Sequence, residues 1–147
     1  MKCLPKERKG KFLLDVGTGA GLPGVVLFIM GRKNVILCDK SSKKSYFLKK
    51  ILKECSLDIE IHNNRIENYF KNNIDVIVSR AFASLKKLLN SIYHLVSMET
   101  VLVIHKGKKY KQEIVEAEKS FSFKYEKFQS ITCHKGVILK IEKIKKK

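Results

Sequence analysis

Acidic residues are scarce in this sequence, and several other features are missing. The 147 residues hold 14 Asp and Glu against 31 Lys and Arg, a formal charge of +17 at pH 7. No apolar run approaches the roughly 20 residues a membrane helix needs; Val25 to Met30 lies between two glycines. The basic start, MKCLPKERKGKFLLD, has an apolar run too short for a secretory signal. Cys3, Cys38, Cys55 and Cys133 form no C-x-x-C pair and show no metal-like spacing with the histidines. The expectation is free thiols, no bound metal and a reducing cytoplasm. Arginine is also rare, all but four of the basic residues being lysine. Two readings of the charge stand side by side: a polyanionic partner such as RNA, or the lysine preference of an AT-rich genome. The tail KIEKIKKK is either a solvated fringe or an RNA-contacting arm.

What is present is an alternation of apolar runs and helix-period segments in one domain spanning 1–147, with neither repeat nor linker. FLLDV (12–16) reads as a buried strand, followed by a glycine loop and a short helix opening at Pro23. NVILCD (34–39) is the second strand. Residues 41–55 follow as a helix with Phe47, Leu48, Ile51, Leu52 and Cys55 on one face. IEIHN (59–63), DVIVSRA (75–81) and TVLVIHK (100–106) are further strands. Between the last two lies a capped helix (84–96) that turns Leu85, Leu88, Leu89 and Ile92 inward. A weaker helix near 110–121 precedes two late strands joined around His134 to Gly136. Continuous apolar strands separated by helices predict an α/β fold. It is a mainly parallel, seven-stranded sheet covered on both faces, with one antiparallel strand near the C-terminus.

Ligands of such sheets bind outside the carboxyl ends of the strands. That singles out Gly17 onward, Asp39, Asn63 to Glu67, Ser79 to Phe82 and Lys106. DVGTGAGLPG (15–24) invites two readings. Gly19 to Gly24 formally match the G-x-G-x-x-G of dinucleotide enzymes. Read from Gly17, the first glycine after the strand, the pattern is instead G-x-G-x-G, with Leu22 where a third dinucleotide glycine belongs. Asp15 is awkward beside a pyrophosphate and useful beside a cation. S-adenosylmethionine, with a sulfonium and an ammonium and no phosphate, suits the loop Asp15, Gly17, Thr18, Gly19, Gly21, where glycine permits close backbone approach. Asp39 ends the second strand roughly 20 residues on, where a carboxylate accepts both ribose hydroxyls of either cofactor. Its alternative role is a cap for the following helix. His94, His105 and His134 read as packing or surface residues.

LLDVGTGAGLPG, SRAFASL and HKG together resemble the bacterial 16S rRNA guanine-N7 methyltransferases, the small-subunit methyltransferase G or glucose-inhibited division protein B family, from about Phe12 to the C-terminus. The resemblance implies a class I, Rossmann-like, S-adenosylmethionine-dependent methyltransferase, acting as a monomer on 16S rRNA in the small ribosomal subunit. It places Gly17 and Leu22 at the methionine and ribose side of the cofactor, and Ile66 and Glu67 beside the adenine. Arg80 falls near the methionine carboxylate or the reacting groups, and Lys106 near the target base or its phosphate. Each has a plainer alternative: Ile66 as core, Glu67 opening a helical turn, Arg80 in an ion pair, Lys106 solvated. The chemistry agrees, because guanine N7 has an in-plane lone pair and no proton to lose. Alignment alone can supply roughly 7–11 kcal/mol. The turn S-R-A-F is not the N-P-P-Y type of exocyclic-amine methylation. Neither Cys38 nor Cys133, read as lying in a late strand, stands where a cytosine-C5 nucleophile belongs. Family members carry a helical segment before the first strand, whereas only eleven residues precede Phe12; the expectation is a shortened start or a decayed product. Two other functions stay open on the residues: an NAD(P)-dependent oxidoreductase, and a noncatalytic RNA-binding domain.

Overall fold

The computed structural model describes residues 3–131 and 134–147, so the placement expected for Cys133 lies outside the described residues. Its strands are β1 (Phe12–Val16), β2 (Val35–Cys38), β3 (Glu60–His62), β4 (Ile74–Arg80), β5 (Val101–Lys106), β6 (Phe121–Gln129) and β7 (Val137–Lys146). Its helices are α1 (Gly24–Ile29), α2 (Ser42–Glu54), α3 (Leu85–Ile92) and α4 (Tyr110–Glu118). The seven strands form one sheet in the order β3-β2-β1-β4-β5-β7-β6. β7 is antiparallel to both its neighbours, and the other ladders are parallel.

The strands read as continuous apolar runs because both faces are covered. Leu14, Val16, Ile36, Ile77, Leu102 and Ile104 point to one face and pack with Leu85, Leu88, Leu89 and Ile92 of α3 and with Ile114 and Ala117 of α4. Leu13, Val35, Leu37, Val76, Val78 and Val103 point to the other, against Leu27 of α1 and Leu48 and Leu52 of α2. The late hairpin alternates instead. Val137, Leu139 and Ile141 are buried, then Ile144, because Lys143 (φ +55°) inserts one extra residue where the β6–β7 register shifts.

Two local expectations change. Phe47 is 53% exposed and Cys55 is exposed, so α2 buries only Ser45, Leu48 and Leu52. Its apolar stripe is narrower than the sequence period implied. Ser84 precedes α3, but its side chain makes no capping hydrogen bond. The Leu85 N–H donates instead to Glu113 Oε2 of α4 at 2.7 Å. A carboxylate on a neighbouring helix thus does the work assigned to the local serine.

At the amino ends of the strands, Asp75 is buried and accepts from Arg8 Nε at 3.1 Å, with Arg32 Nη2 at 3.9 Å. Arg32 Nη1 also donates to the Pro5 carbonyl. This fastens the first described residues beneath the sheet and leaves the carboxyl ends of the strands open.

Candidate active site

The site grows from the end of β1. Asp15 is fully buried, and its Oδ2 accepts from the Thr18 hydroxyl at 2.7 Å and from the Gly24 N–H at 2.8 Å. One carboxylate oxygen therefore gathers the loop and the start of α1 onto the strand. Asp15 Oδ1 has no hydrogen-bond partner. Burial pushes the Asp15 carboxyl up to about 6, against the hydrogen bonds from Thr18 and Gly24 and the nearby Arg80 charge. The loop is also pinned sideways, since the N–H groups of Gly17 and Thr18 both donate to the Cys38 carbonyl of β2.

Gly17 shows why this position takes no side chain. Its φ is +71°, and a Cβ would stand 2.6 Å from Phe82 Cδ2. The space expected for a cofactor's approach is filled, on this side, by the Phe82 ring. Gly21 (φ +91°) packs under the loop, where a Cβ would meet Val25 and Leu48. Thr18 is buried behind the loop, and Leu22, 36% exposed, lies outside the cleft lining.

Asp39 ties the glycine loop to the segment that opens α2. Its Oδ2 accepts from the Gly19 N–H and its Oδ1 from the Ser41 N–H, each at 2.9 Å, just before α2. It also borders a cleft of about 280 Å³, shared with Val16, Gly17, Cys38, Ile66 and Glu67. Each oxygen accepts one of these bonds, of the two or so a carboxylate oxygen takes, which leaves acceptor capacity toward the cleft. Ile66 is both core and cleft wall, being 3% exposed. Glu67 opens a short 3₁₀ turn and stays exposed; a bond from the Ser91 hydroxyl holds its carboxyl below the usual range. Burial pushes the Cys38 thiol up to about 12, so it is an inert wall rather than a nucleophile.

A second cleft, of about 570 Å³, opens over the ends of β4 and β5. Arg80, His105 and Lys106 line it, and Ala81 and Phe82 line both clefts. Arg80 is exposed and makes no salt bridge among the described residues, so the ion-pair alternative does not describe it. Burial and the Arg80 charge lower the His105 pKa, which keeps that ring neutral at pH 7. Lys106 differs from expectation. It borders the second cleft, yet its side chain is only 9% exposed, neither solvated nor free. Its Nζ donates to the Ala83 carbonyl at 2.6 Å and to Glu113 Oε2 at 2.7 Å. His94 packs, as read, its Nε2 lying 2.8 Å from the Tyr69 carbonyl oxygen.

The carboxyl ends thus bring together Gly17, Asp39, Ile66 and Glu67 in one cleft and Arg80 and Lys106 in the next. The sequence reading gave no role to Phe82, Glu113 or Lys44. Phe82 stood within SRAF, a motif in view. Lys44 lies in the first turn of α2, which faces back over the end of β2. Glu113 has no sequence signal, because its partners come from β5 and the start of α3.

The strand order, the glycine loop at the end of β1 and the acid at the end of β2 define the class I S-adenosylmethionine-dependent methyltransferase fold. Solved structures agree in fold. The ribosomal protein L11 methylase of Lactobacillus delbrueckii subsp. bulgaricus superposes with a TM-score of 0.72 at 20% identity, over 90% of this chain and 69% of that one. A mutant of MtNAS in complex with S-adenosylmethionine gives 0.75 at 14% identity, over 92% and 56%. Residues 1–142 match the family model GidB, rRNA small subunit methyltransferase G. The ribosomal RNA small subunit methyltransferase G of Rickettsia rickettsii (strain Sheila Smith) is 40% identical over 142 residues, 95% of this chain and 72% of the relative. The chain belongs to the rRNA small subunit methyltransferase G family.

Two predictions follow from the geometry. The Asp15 carboxyl binds its proton up to about pH 6 in the fold, against an ordinary value of 3.8. Its contribution to stability is therefore fully present below about pH 4 and is lost as pH rises to about 6. Asp15→Asn keeps a neutral acceptor there. Urea unfolding should show its stability relative to wild type rising across that window by up to about 3 kcal/mol, then levelling. A difference that is flat from pH 4 to 7 contradicts the account of Asp15. The second concerns the clamp. Glu113→Gln should cost about 1–3 kcal/mol, as for a lost charged hydrogen bond. A double-mutant cycle with Lys106→Met should show a clear coupling energy. Additive losses would mean that the two residues act independently.

Proposed function

We infer that this chain transfers a methyl group from S-adenosylmethionine to N7 of a guanine in 16S rRNA of the small ribosomal subunit. The observation that carries the cofactor choice is the unpartnered Oδ1 of buried Asp15, directly beneath the glycine loop. A buried carboxylate with a free oxygen favours a cationic ligand and repels a pyrophosphate, which weighs against the dinucleotide reading of Gly19 to Gly24. The rest of the first cleft fits an adenosyl group. Asp39 offers acceptor capacity to ribose hydroxyls, and Ile66 presents an apolar flank to a purine, with Glu67 at its edge. Bound there, S-adenosylmethionine supplies a methyl activated by its sulfonium.

The protein's own contribution is to orient and to shield. Arg80, exposed and without a salt bridge at the mouth of β4, meets the RNA, where its guanidinium suits a phosphate. Lys106, held by Glu113, fixes the 81–84 turn between the clefts and acts as a positioning residue. N7 would take that methyl on its in-plane lone pair, so the residues here need only hold the base in line with it. No proton leaves, so the second cleft needs no general base, and neutral His105 is consistent with that. The net charge of +17 adds phosphate affinity that should fall steeply with salt.

The test uses labelled S-adenosylmethionine and small subunits that lack the modification. The expected product is a single N7-methylguanine in 16S rRNA, read by reduction and chain cleavage at that base. Asp39→Ala should weaken S-adenosylmethionine binding by about 1–3 kcal/mol with the fold intact. Arg80→Ala should lower turnover more than stability. A methyl on a cytosine or an exocyclic amine, or NAD binding as tight as that of S-adenosylmethionine, overturns the reading.

A further inference from the structure

Phe82 is the aromatic ring that the two clefts have in common, beside Ala81, and the mechanism leaves it without a task. It is 37% exposed, and among the described residues neither a tyrosine nor another phenylalanine borders either cleft. The other exposed rings, Tyr46, Phe47, Phe70 and Tyr125, lie outside both linings. Phe82 has no ring–ring or cation–π partner among the described residues. Its position is nevertheless tightly set. One edge rests on Gly17, at a place where any Cβ would collide with it. Ala81 before it takes a left-handed conformation (φ +53°), and the Ala83 carbonyl after it is held by Lys106. An apolar ring kept in place at the junction, partly exposed and without an aromatic or cationic partner among the described residues, has the features of a stacking surface.

We propose that Phe82 is the platform on which the target guanine stacks, holding the base in the second cleft with its N7 edge turned toward the first. This rests on the functional reading above. A base taken out of its stack loses the contacts of its neighbours, and an aromatic face replaces them without reading sequence. Stacking also fixes the plane of the base. The N7 lone pair lies in that plane, so the ring that sets the plane sets the line along which the methyl passes.

The test compares Phe82→Leu, Phe82→Tyr and Phe82→Trp in the full chain. With small subunits as substrate, Phe82→Leu should lower kcat/KM by about 10- to 100-fold, the range of a lost base–aromatic stack. Its affinity for S-adenosylhomocysteine should stay within about threefold of wild type, while Phe82→Tyr and Phe82→Trp keep most of the activity. The chain has no tryptophan, so Phe82→Trp places a single tryptophan at the junction. Its emission should be quenched by saturating small subunits and not by subunits already methylated at the target and released. A Phe82→Leu enzyme with wild-type kcat/KM, one that loses cofactor affinity in step with turnover, or a Phe82→Trp emission indifferent to subunits overturns the proposal while the wild type stays active. A wild type that methylates no guanine overturns the functional reading and this proposal with it.

Discussion

The buried carboxylate of Asp15 is the constraint on which the working end of this molecule depends. A loop with three glycines has few side chains with which to define its own shape, and glycine's backbone entropy is the highest any residue type carries. Asp15 supplies the missing definition through one oxygen that accepts from Thr18 and from the first N–H of α1. Asp39 adds a second anchor through the Gly19 N–H. The two acids also place negative charge below a loop whose backbone N–H groups would otherwise attract anions. On the proposed function, the loop is thereby turned from a phosphate cradle into a seat for a cation.

On the proposed function, the two clefts that flank that loop separate binding from reaction. The cleft over β1, β2 and the 66–68 turn is bounded by residues suited to a nucleoside. The cleft over β4 and β5 is open, basic and larger. Only the short turn at Ala81 and Phe82 lies between them, and it is over-determined by Gly17 on one side and by the Lys106–Glu113 pair on the other. A methyl group passing between a cofactor and a large RNA needs such a shared, rigid wall, because displacement of a fraction of an ångström is costly where alignment supplies the catalysis.

Much of this was legible in the sequence, for physical reasons that can be named. Parallel strands buried on both faces leave unbroken apolar runs, so β1, β2, β4 and β5 announce themselves, and the end of each strand marks where a ligand sits. The place of Asp39 and Ile66 at the first cleft was legible because position after a strand carries the meaning. Lys106 was only half legible: its place at the end of β5 follows from the pattern, whereas its engagement by Glu113 depends on how α4 packs. The same tertiary dependence hid the cap of α3, where a serine in the right place is bypassed for a distant carboxylate. Phe47 was misplaced because a period gives the direction of a face and not its width. Phe82 was in view but without a role, since its contact with Gly17 joins residues 65 positions apart in a chain whose local pattern records only neighbours.

The most direct measurement of the central claim is a crystal structure of the chain with S-adenosylhomocysteine. The ribose hydroxyls should lie within hydrogen-bond distance of the Asp39 carboxylate, the adenine against Ile66, and the sulfur toward Phe82 and the second cleft. The ammonium should lie on the Asp15 side of the glycine loop. An adenosyl group bound elsewhere, or one in this cleft with its sulfur turned away from Phe82, would contradict the account.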